Sequence, residues 1–332
     1  MRRTRLAGVG HYVPERVVTN HDLEQLMDTS DEWIRERTGI RERRFTEPGV
    51  GSAALGAKAA EAALANAGWQ VTDVQFIVFA TLSPDFYFPG NGVLLQAALG
   101  LPGIGALDVR NQCTGFVYGL SVADALIRVG MYDRVLLVGG EVHSTGLRMN
   151  TEGRDTAVLF GDGAGAVCLE ATDGAQNGHV MAHRLHADGR FAGELTITSP
   201  GSVTNPWLTK EMVGDGRTAP YMNGREVFKN AVTRFPEVIE EVLASEGVAA
   251  EDVDLFIPHQ ANERITEAVR KRLGVLPEKV FSNIARYGNT TAASIPIALS
   301  EAVADGLVRR GSLVCLAAFG SGFTWGASLL RY

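Results

Sequence analysis

Cys113 lies where an apolar strand-like run, Ala106-Leu107-Asp108-Val109, gives way through Arg110-Asn111-Gln112 to an amphipathic run. In that second run Phe116, Val117, Leu120, Ala123 and Ile127 recur at helical spacing. A cysteine at a strand-to-helix turn sits at the positive end of the helix dipole, beside the free N–H groups of the first turn. Both favour a thiolate, and the same N–H groups can hold an oxyanion formed at a thioester on that sulfur. A second apolar run, Val253 to Ile257, ends in Pro258-His259-Gln260-Ala261-Asn262 immediately before another helical pattern. A third strand end carries Tyr287-Gly288-Asn289-Thr290-Thr291. A fourth is the Gly320-Ser321-Gly322 turn after Phe319, whose N–H groups could face an oxyanion. Each alone admits a bland reading: an inert buried cysteine, a capping histidine, an N-cap asparagine. One Cys, one His and one Asn, each at the carboxyl end of a strand, are a much stronger joint signal of nucleophilic chemistry at Cys113.

The elements that must position them alternate along the chain. Strands are predicted at Leu6 to Gly10, Val74 to Thr81, Arg134 to Val138 and Ala164 to Leu169, with helices at Ser52 to Ala67, Gly92 to Leu99 and behind Cys113. The second part repeats the theme. Helices are predicted at Glu226 to Glu246, Ala261 to Leu273 and Thr291 to Asp305, and strands at Val253 to Ile257, Val280 to Ile284, Leu313 to Ala318 and Thr324 to Leu330. The alternation indicates an α/β protein with largely parallel sheets. The two parts also resemble each other. Val74-Gln-Phe-Ile-Val matches Val253-Asp-Leu-Phe-Ile, Val135-Leu-Leu-Val matches Leu313-Val-Cys-Leu, and the Cys113 turn matches the turn at Asn289. Past Gly140 the register breaks, leaving Glu141 to Phe160 as an extra loop in the first half. The chain therefore reads as two duplicated βα halves, 1–171 and 172–332. Open α/β sheets hold their ligands at the carboxyl ends of strands, where all four candidate turns lie.

Composition bounds the partners. The chain has 332 residues, 45% of them hydrophobic and 21% charged, with a net charge of −7. That describes a soluble globular protein with room for a large core, and its acidic balance argues against a nucleic-acid-binding surface. Cys113, Cys168 and Cys315 show neither metal-ligand nor disulfide spacing, which fits a reducing compartment. No stretch is long enough to span a bilayer and the first residues lack the apolar run of a signal peptide, so a cytoplasmic location is expected, with no membrane contact.

Cys113 in Gln-Cys-Thr-Gly-Phe, Pro258-His259-Gln-Ala-Asn262, Gly288-Asn289-Thr290 and Phe319-Gly-Ser-Gly-Phe-Thr-Trp-Gly326 resemble the signatures of the β-ketoacyl-acyl-carrier-protein synthase III family. Thr29-Ser-Asp-Glu-Trp33 with Arg37-Thr-Gly-Ile-Arg, Phe160-Gly-Asp-Gly-Ala-Gly and Gly224-Arg-Glu-Val-Phe228-Lys are further matches in the expected order, covering essentially the whole chain. The resemblance implies a thiolase-like fold, two duplicated halves packed as layers α/β/α/β/α, and a homodimer. It implies an acyl-CoA primer carried on Cys113, with the Cys113 and Ser321 N–H groups as the oxyanion site. His259 and Asn289 would polarise the thioester carbonyl of a malonyl-acyl-carrier-protein acceptor. For binding it implies Trp33 stacked on adenine with Arg37 and Arg154 nearby, and Thr29, Gly224, Phe228, Ala261 and Asn262 along the pantetheine path. Phe88 would reach across a dimer interface to close the acyl pocket. Arg264, Lys271 and Arg272, with Lys229, would dock the acidic carrier protein. No metal and no redox cofactor is implied; coenzyme A enters as a thioester substrate.

Three features depart from the family pattern: Arg110-Asn-Gln before the nucleophile in place of small residues, Ser321 in place of a glycine, and a long Phe191 to Met222 segment that would help wall the acyl pocket. They leave the preferred primer open, with one longer than acetyl expected. Two other chemistries stay open at this point. One is acyl transfer to an alcohol or amine, or condensation without decarboxylation; the other is a non-catalytic subunit. The pairing of His259 with Asn289 favours decarboxylating condensation, because transfer to a hydroxyl needs a general base more than a paired oxyanion site.

Overall fold

A computed structural model describes residues 2–174 and 178–332. Nine principal strands and seven principal helices carry the fold. In chain order they are β1 (Arg3–Tyr12), α1 (Asp31–Thr38), α2 (Ser52–Ala67), β2 (Phe76–Ala80), α3 (Asn91–Ala98), β3 (Gly105–Val109), α4 (Gly115–Arg128), β4 (Arg134–Glu141), β5 (Gly163–Thr172), β6 (His179–Ala187), α5 (Gly224–Ser245), β7 (Leu255–Pro258), α6 (Glu263–Leu273), α7 (Ser294–Ala304), β8 (Leu313–Gly320) and β9 (Thr324–Arg331).

The strands form two sheets, ordered β1-β5-β4-β2-β3 and β6-β9-β8-β7. Pairs β2/β3, β2/β4 and β7/β8 are parallel, and the others are antiparallel. The sheets are thus mixed rather than largely parallel. At β8/β9 the cause is direct: β8 returns into β9 through a three-residue turn, and two parallel neighbours cannot be joined that way. The strand predicted at Val280 to Ile284 shrinks to one parallel bridge between Phe256 and Val280. The Gln260 side chain takes over the pairing beyond it. Its amide nitrogen lies 3.3 Å from the Phe281 carbonyl, and its oxygen accepts from the Asn283 N–H at 3.0 Å.

Hydrophobic periodicity explains the layering. In α4 the apolar stripe Phe116, Val117, Leu120, Ala123 and Ile127 is buried. It packs with Val78, Leu137 and Val167 of one sheet and Ile257, Leu316 and Leu330 of the other. α7 is apolar on nearly every side and buried from Ser294 through Ala302, as a helix enclosed between two sheets must be. Helices α2 and α3 cover the outer face of the first sheet, and α5 and α6 that of the second. The result is five layers, α/β/α/β/α. Both middle helices begin at the same end of the molecule, where β3, β7 and β8 also finish, and that end carries the candidate site.

Candidate active site

Cys113 occupies the short 3-10 turn Gln112–Thr114 between β3 and α4, and is buried. The residue before it, Gln112, takes φ +45°, a left-handed conformation that costs a non-glycine residue about 1–2 kcal/mol and is tolerated where a turn has to aim a side chain. Gly320, the last residue of β8, lies directly against Cys113. A Cβ on Gly320 would stand 2.5 Å from Cys113 Cβ and 2.9 Å from Sγ. That closeness brings the next N–H, of Ser321, onto the sulfur together with the N–H of Cys113 itself. The Ser321 hydroxyl donates to the carbonyl of Leu195, tying this turn to the long segment before α5.

The thiol is not a resting thiolate. Burial, reinforced by the charge of Glu141, pushes Cys113 up to about 12, and the two N–H groups offset only part of that. The helix-dipole argument made from sequence is outweighed because the sulfur is removed from water, and desolvation disfavours the charged form. Glu141 ends β4. It accepts from the N–H groups of Leu82 (3.0 Å), Ser83 (3.1 Å) and Ala292 (3.3 Å) and from the Ser83 hydroxyl at 2.6 Å. Even so, burial raises it to about 7. Acylation of Cys113 in single turnovers should therefore keep accelerating from pH 6 to pH 9; a plateau near neutrality would show a depressed thiol instead.

His259 follows β7, fixed by its N–H donating to the Ala317 carbonyl at 2.8 Å. The imidazole is buried. Nδ1 lies 2.7 Å from the hydroxyl of Ser294, the first residue of α7, whereas Nε2 has no hydrogen-bond partner among the described residues, and His259 borders the cavity. Burial, with His143 nearby, pushes His259 down to about 3, so the ring is neutral at physiological pH. Asn289 is held by backbone bonds on both sides. Its N–H donates to Leu159 at 2.8 Å and its carbonyl accepts from Gly161 at 3.1 Å. Its side-chain oxygen accepts from the Thr291 N–H at 2.9 Å, which leaves the amide NH2 as the free end. Cys113, His259 and Asn289 all border one cavity of about 500 Å³.

That cavity runs outward past Gly224, Phe228, Ala261, Asn262 and Arg264 to Trp33 and Arg37. The guanidinium groups of Arg37 (4.5 Å) and Arg154 (4.9 Å) both lie over the Trp33 ring, so the three expected at the mouth are brought together. Asn262 has a structural role as well. Its oxygen caps α6 through the Arg264 N–H, and its nitrogen donates to the Arg37 carbonyl, clipping α1 to α6. Thr29 and Phe88 do not line the cavity. The Thr29 hydroxyl is buried without a partner, and Phe88 is 80% exposed on the outside. The basic residues divide: Arg264 is at the mouth, over Phe228 at 5.6 Å, and Lys229 is exposed on the adjoining α5. Lys271 and Arg272 sit about 10 Å further along α6, at 1.5 Å rise per residue, and Lys271 is paired with Glu267 at 3.3 Å.

Several contributors were not anticipated from sequence. Arg225 and Asp155 add charges to the cavity lining, and Phe235 forms part of its apolar wall. Arg225 stood inside a quoted motif, beside Gly224. The Phe191 to Met222 segment, expected to help wall the pocket, does so through Leu195 and Met222, although which of its residues would reach the cavity left no periodic trace. Ser294 is recognisable only once its neighbour across the fold, His259, is known.

Comparison with known proteins agrees with this geometry. The family described as 3-oxoacyl-[acyl-carrier-protein] synthase III matches residues 107–189, and its C-terminal counterpart residues 243–332. The chain is 47% identical over the full length of both to a β-ketoacyl-[acyl-carrier-protein] synthase III of Acidiphilium cryptum. The crystal structure of the 3-oxoacyl-[acyl-carrier-protein] synthase III of Aquifex aeolicus is 42% identical and superposes with a TM-score of 0.90, covering 99% of this chain and 100% of that one. A priming β-ketosynthase from the R1128 polyketide pathway is 31% identical, with a TM-score of 0.90 and coverage of 99% and 96%. With its motifs gathered at one cavity on a thiolase-like scaffold, and relatives matched end to end, this chain belongs to the β-ketoacyl-acyl-carrier-protein synthase III family of condensing enzymes.

Proposed function

We propose that the protein joins an acyl-CoA primer to malonyl-acyl-carrier protein with loss of CO2, giving a 3-oxoacyl-carrier protein two carbons longer. The observation that carries this is the convergence on one cavity of a thiol faced by two backbone N–H groups, an unpartnered neutral imidazole nitrogen and an oriented amide. Cys113 gives up its proton as Sγ attacks the primer thioester. The carbon–sulfur bond to coenzyme A breaks, and its thiol leaves with a proton. The Cys113 and Ser321 N–H groups stabilise the tetrahedral oxyanion. When malonyl thioester enters, His259 Nε2–H and the Asn289 NH2 donate to its carbonyl. The carboxylate departs as CO2, its bonding pair becomes an enolate, and the enolate carbon attacks the acyl-Cys113 carbonyl, releasing the thiolate for reprotonation. The bonding electrons come from the departing carboxylate, so the chemistry draws on no metal or redox cofactor.

Transfer to an alcohol or amine fits less well, because an imidazole held near pKa 3 is a poor base for a hydroxyl. Arg37 and Arg154 beside Trp33 suit an adenine nucleotide, and Lys229, Arg225 and Arg264 around the mouth suit an acidic carrier protein; Lys271 and Arg272 would extend that surface along α6. The matching strand orders of the two sheets support a duplication dividing the chain near residue 171. β3 is an edge strand, and Phe86, Tyr87 and Phe88 stand exposed, with Trp207 against Tyr87 at 4.8 Å. A second copy of the chain pairing there would cover both, and a homodimer is our reading. No helix among the described residues is long and apolar enough to cross a membrane, and a cytoplasmic site of action fits three free cysteines.

Intact-mass spectrometry tests the central reading, using acyl-CoAs of increasing length followed by malonyl-carrier protein. One acyl adduct is expected, absent in Cys113→Ala and discharged by malonyl-carrier protein with release of CO2. An adduct that persists would put acyl transfer to another acceptor ahead. No adduct with any primer would make Cys113 structural.

A further inference from the structure

Asn289 can act as a donor only if its amide is held oxygen-inward, and what holds it is a strained turn. Thr291, whose N–H engages Asn289 Oδ1 at 2.9 Å, has φ +48°. A β-branched residue in that region is an outlier that persists only where surrounding structure over-determines it. The surrounding structure here is the end of β4. The Thr291 hydroxyl lies 2.8 Å from His143 Nε2, and the following N–H, of Ala292, donates to Glu141 Oε1 at 3.3 Å. His143 is itself fixed. It is buried, its N–H donates to Asp162 Oδ1 at 2.7 Å, and its ring packs on Phe160 at 4.8 Å. Phe160 in turn forms the backbone bridge with Asn289. His143 thus meets the Asn289 turn from two sides, through a hydrogen bond to Thr291 and through the ring that bridges to Asn289. Its Nε2 is also 4.0 Å from Glu141 Oε2, so the two anchors of the turn stand together.

We propose that His143 is a positioning residue for the condensation half-reaction, holding Thr291 in its left-handed conformation so that the Asn289 amide presents its N–H groups to the malonyl thioester. The inference rests on the reading of Asn289 as a thioester-carbonyl donor. Acylation of Cys113 uses the backbone oxyanion site instead, so it does not depend on His143. The two half-reactions can therefore be separated.

The test follows both in His143→Leu, His143→Gln and Thr291→Val, with melting temperatures recorded alongside. In His143→Leu, acylation by acyl-CoA should stay within about two-fold of wild type, while discharge by malonyl-carrier protein slows about 10-fold or more, in kcat rather than KM. A misplaced catalytic donor has this signature. His143→Gln, whose amide can reach the Thr291 hydroxyl, should recover most of the rate. Thr291→Val breaks the same bond from the other side and replaces His143→Leu if that variant does not fold; it should show the same selective loss, and the double variant should be no worse than either single one. The proposal is overturned if discharge is unimpaired, or if acylation, discharge and melting temperature all fall together. A wild-type chain that is acylated but never discharged by malonyl-carrier protein removes the Asn289 reading and this inference with it. Wild-type discharge matched by His143→Leu removes only the inference.

Discussion

Gly320→Ala is expected to lower acylation of Cys113 at least 100-fold while leaving a folded protein. The residue ends β8 in an ordinary extended conformation, so alanine meets no backbone strain there. The obstacle is space: the new methyl would stand 2.5 Å from Cys113 Cβ, 2.9 Å from Sγ and 3.3 Å from the Cys113 nitrogen. The Cβ and the nitrogen are fixed to the backbone and cannot swing aside, and turning Sγ away would itself misdirect the thiol. Either the nucleophile or the turn carrying the Ser321 N–H must move, and overpacking of this kind costs about 1–3 kcal/mol in stability. The catalytic loss is larger because misplacement by about 1 Å costs on the order of 100-fold in rate. Quenched-flow mass spectrometry of the acyl adduct, with circular dichroism as the control for folding, measures both. An alanine variant acylated at the wild-type rate would show that close approach of the two segments is dispensable.

The second large effect separates the half-reactions at the other two residues. His259→Ala and Asn289→Ala should each slow condensation by about 10²–10³, the usual cost of removing one oxyanion donor, while the acyl adduct still forms. The pH profile carries a further signature. His259 is held well below its ordinary value, near 3, because burial and the neighbouring His143 disfavour the imidazolium. Its neutral donor form therefore persists throughout the range where an exposed histidine would titrate. The condensation rate, measured from preformed acyl-enzyme, should show no loss attributable to His259 between pH 8 and pH 5. The same shift has a stability consequence. The folded pKa lies below the unfolded one, so the unfolded chain binds the extra proton, and this contribution is complete above about pH 6.5 and is lost as pH falls toward 3. Glu141 acts in the opposite sense: its folded value, about 7, lies above the ordinary 4.5, so its contribution is lost as pH rises between those values. A condensation rate that falls with an apparent pKa near 6.5 would contradict the neutral, buried imidazole.

Much of this site was legible in the sequence because strand ends are where a layered α/β fold exposes chemistry. Cys113, His259 and Ser321 could be placed at such ends from local pattern alone, and the repeat suggested that the ends meet; Asn289 joins them, but after the short helix Ile284–Tyr287 rather than at the end of the predicted strand. What escaped was decided at longer range. The sense of each strand pair depends on how the chain returns, which apolar runs do not encode, and a side chain, Gln260, replaced the predicted strand after Val280. The state of Cys113 was misread because a helix terminus is a local feature whereas desolvation is a sum over everything packed around the sulfur. Phe235 reached the cavity wall from the middle of a long amphipathic helix whose local pattern says nothing about the site.

The two helices enclosed between the sheets bear on how the enzyme comes to be active at all. Cys113 stands at the head of α4, the serine behind His259 opens α7, and the apolar faces of both helices are satisfied by contacts from distant parts of the chain. Such non-local packing forms late and slowly during folding. Catalytic activity is therefore expected to return only when the contacts that bring Cys113, His259 and Asn289 together have formed. In refolding experiments the return of condensation should coincide with burial of this central layer, which makes turnover itself a readout of the completed fold.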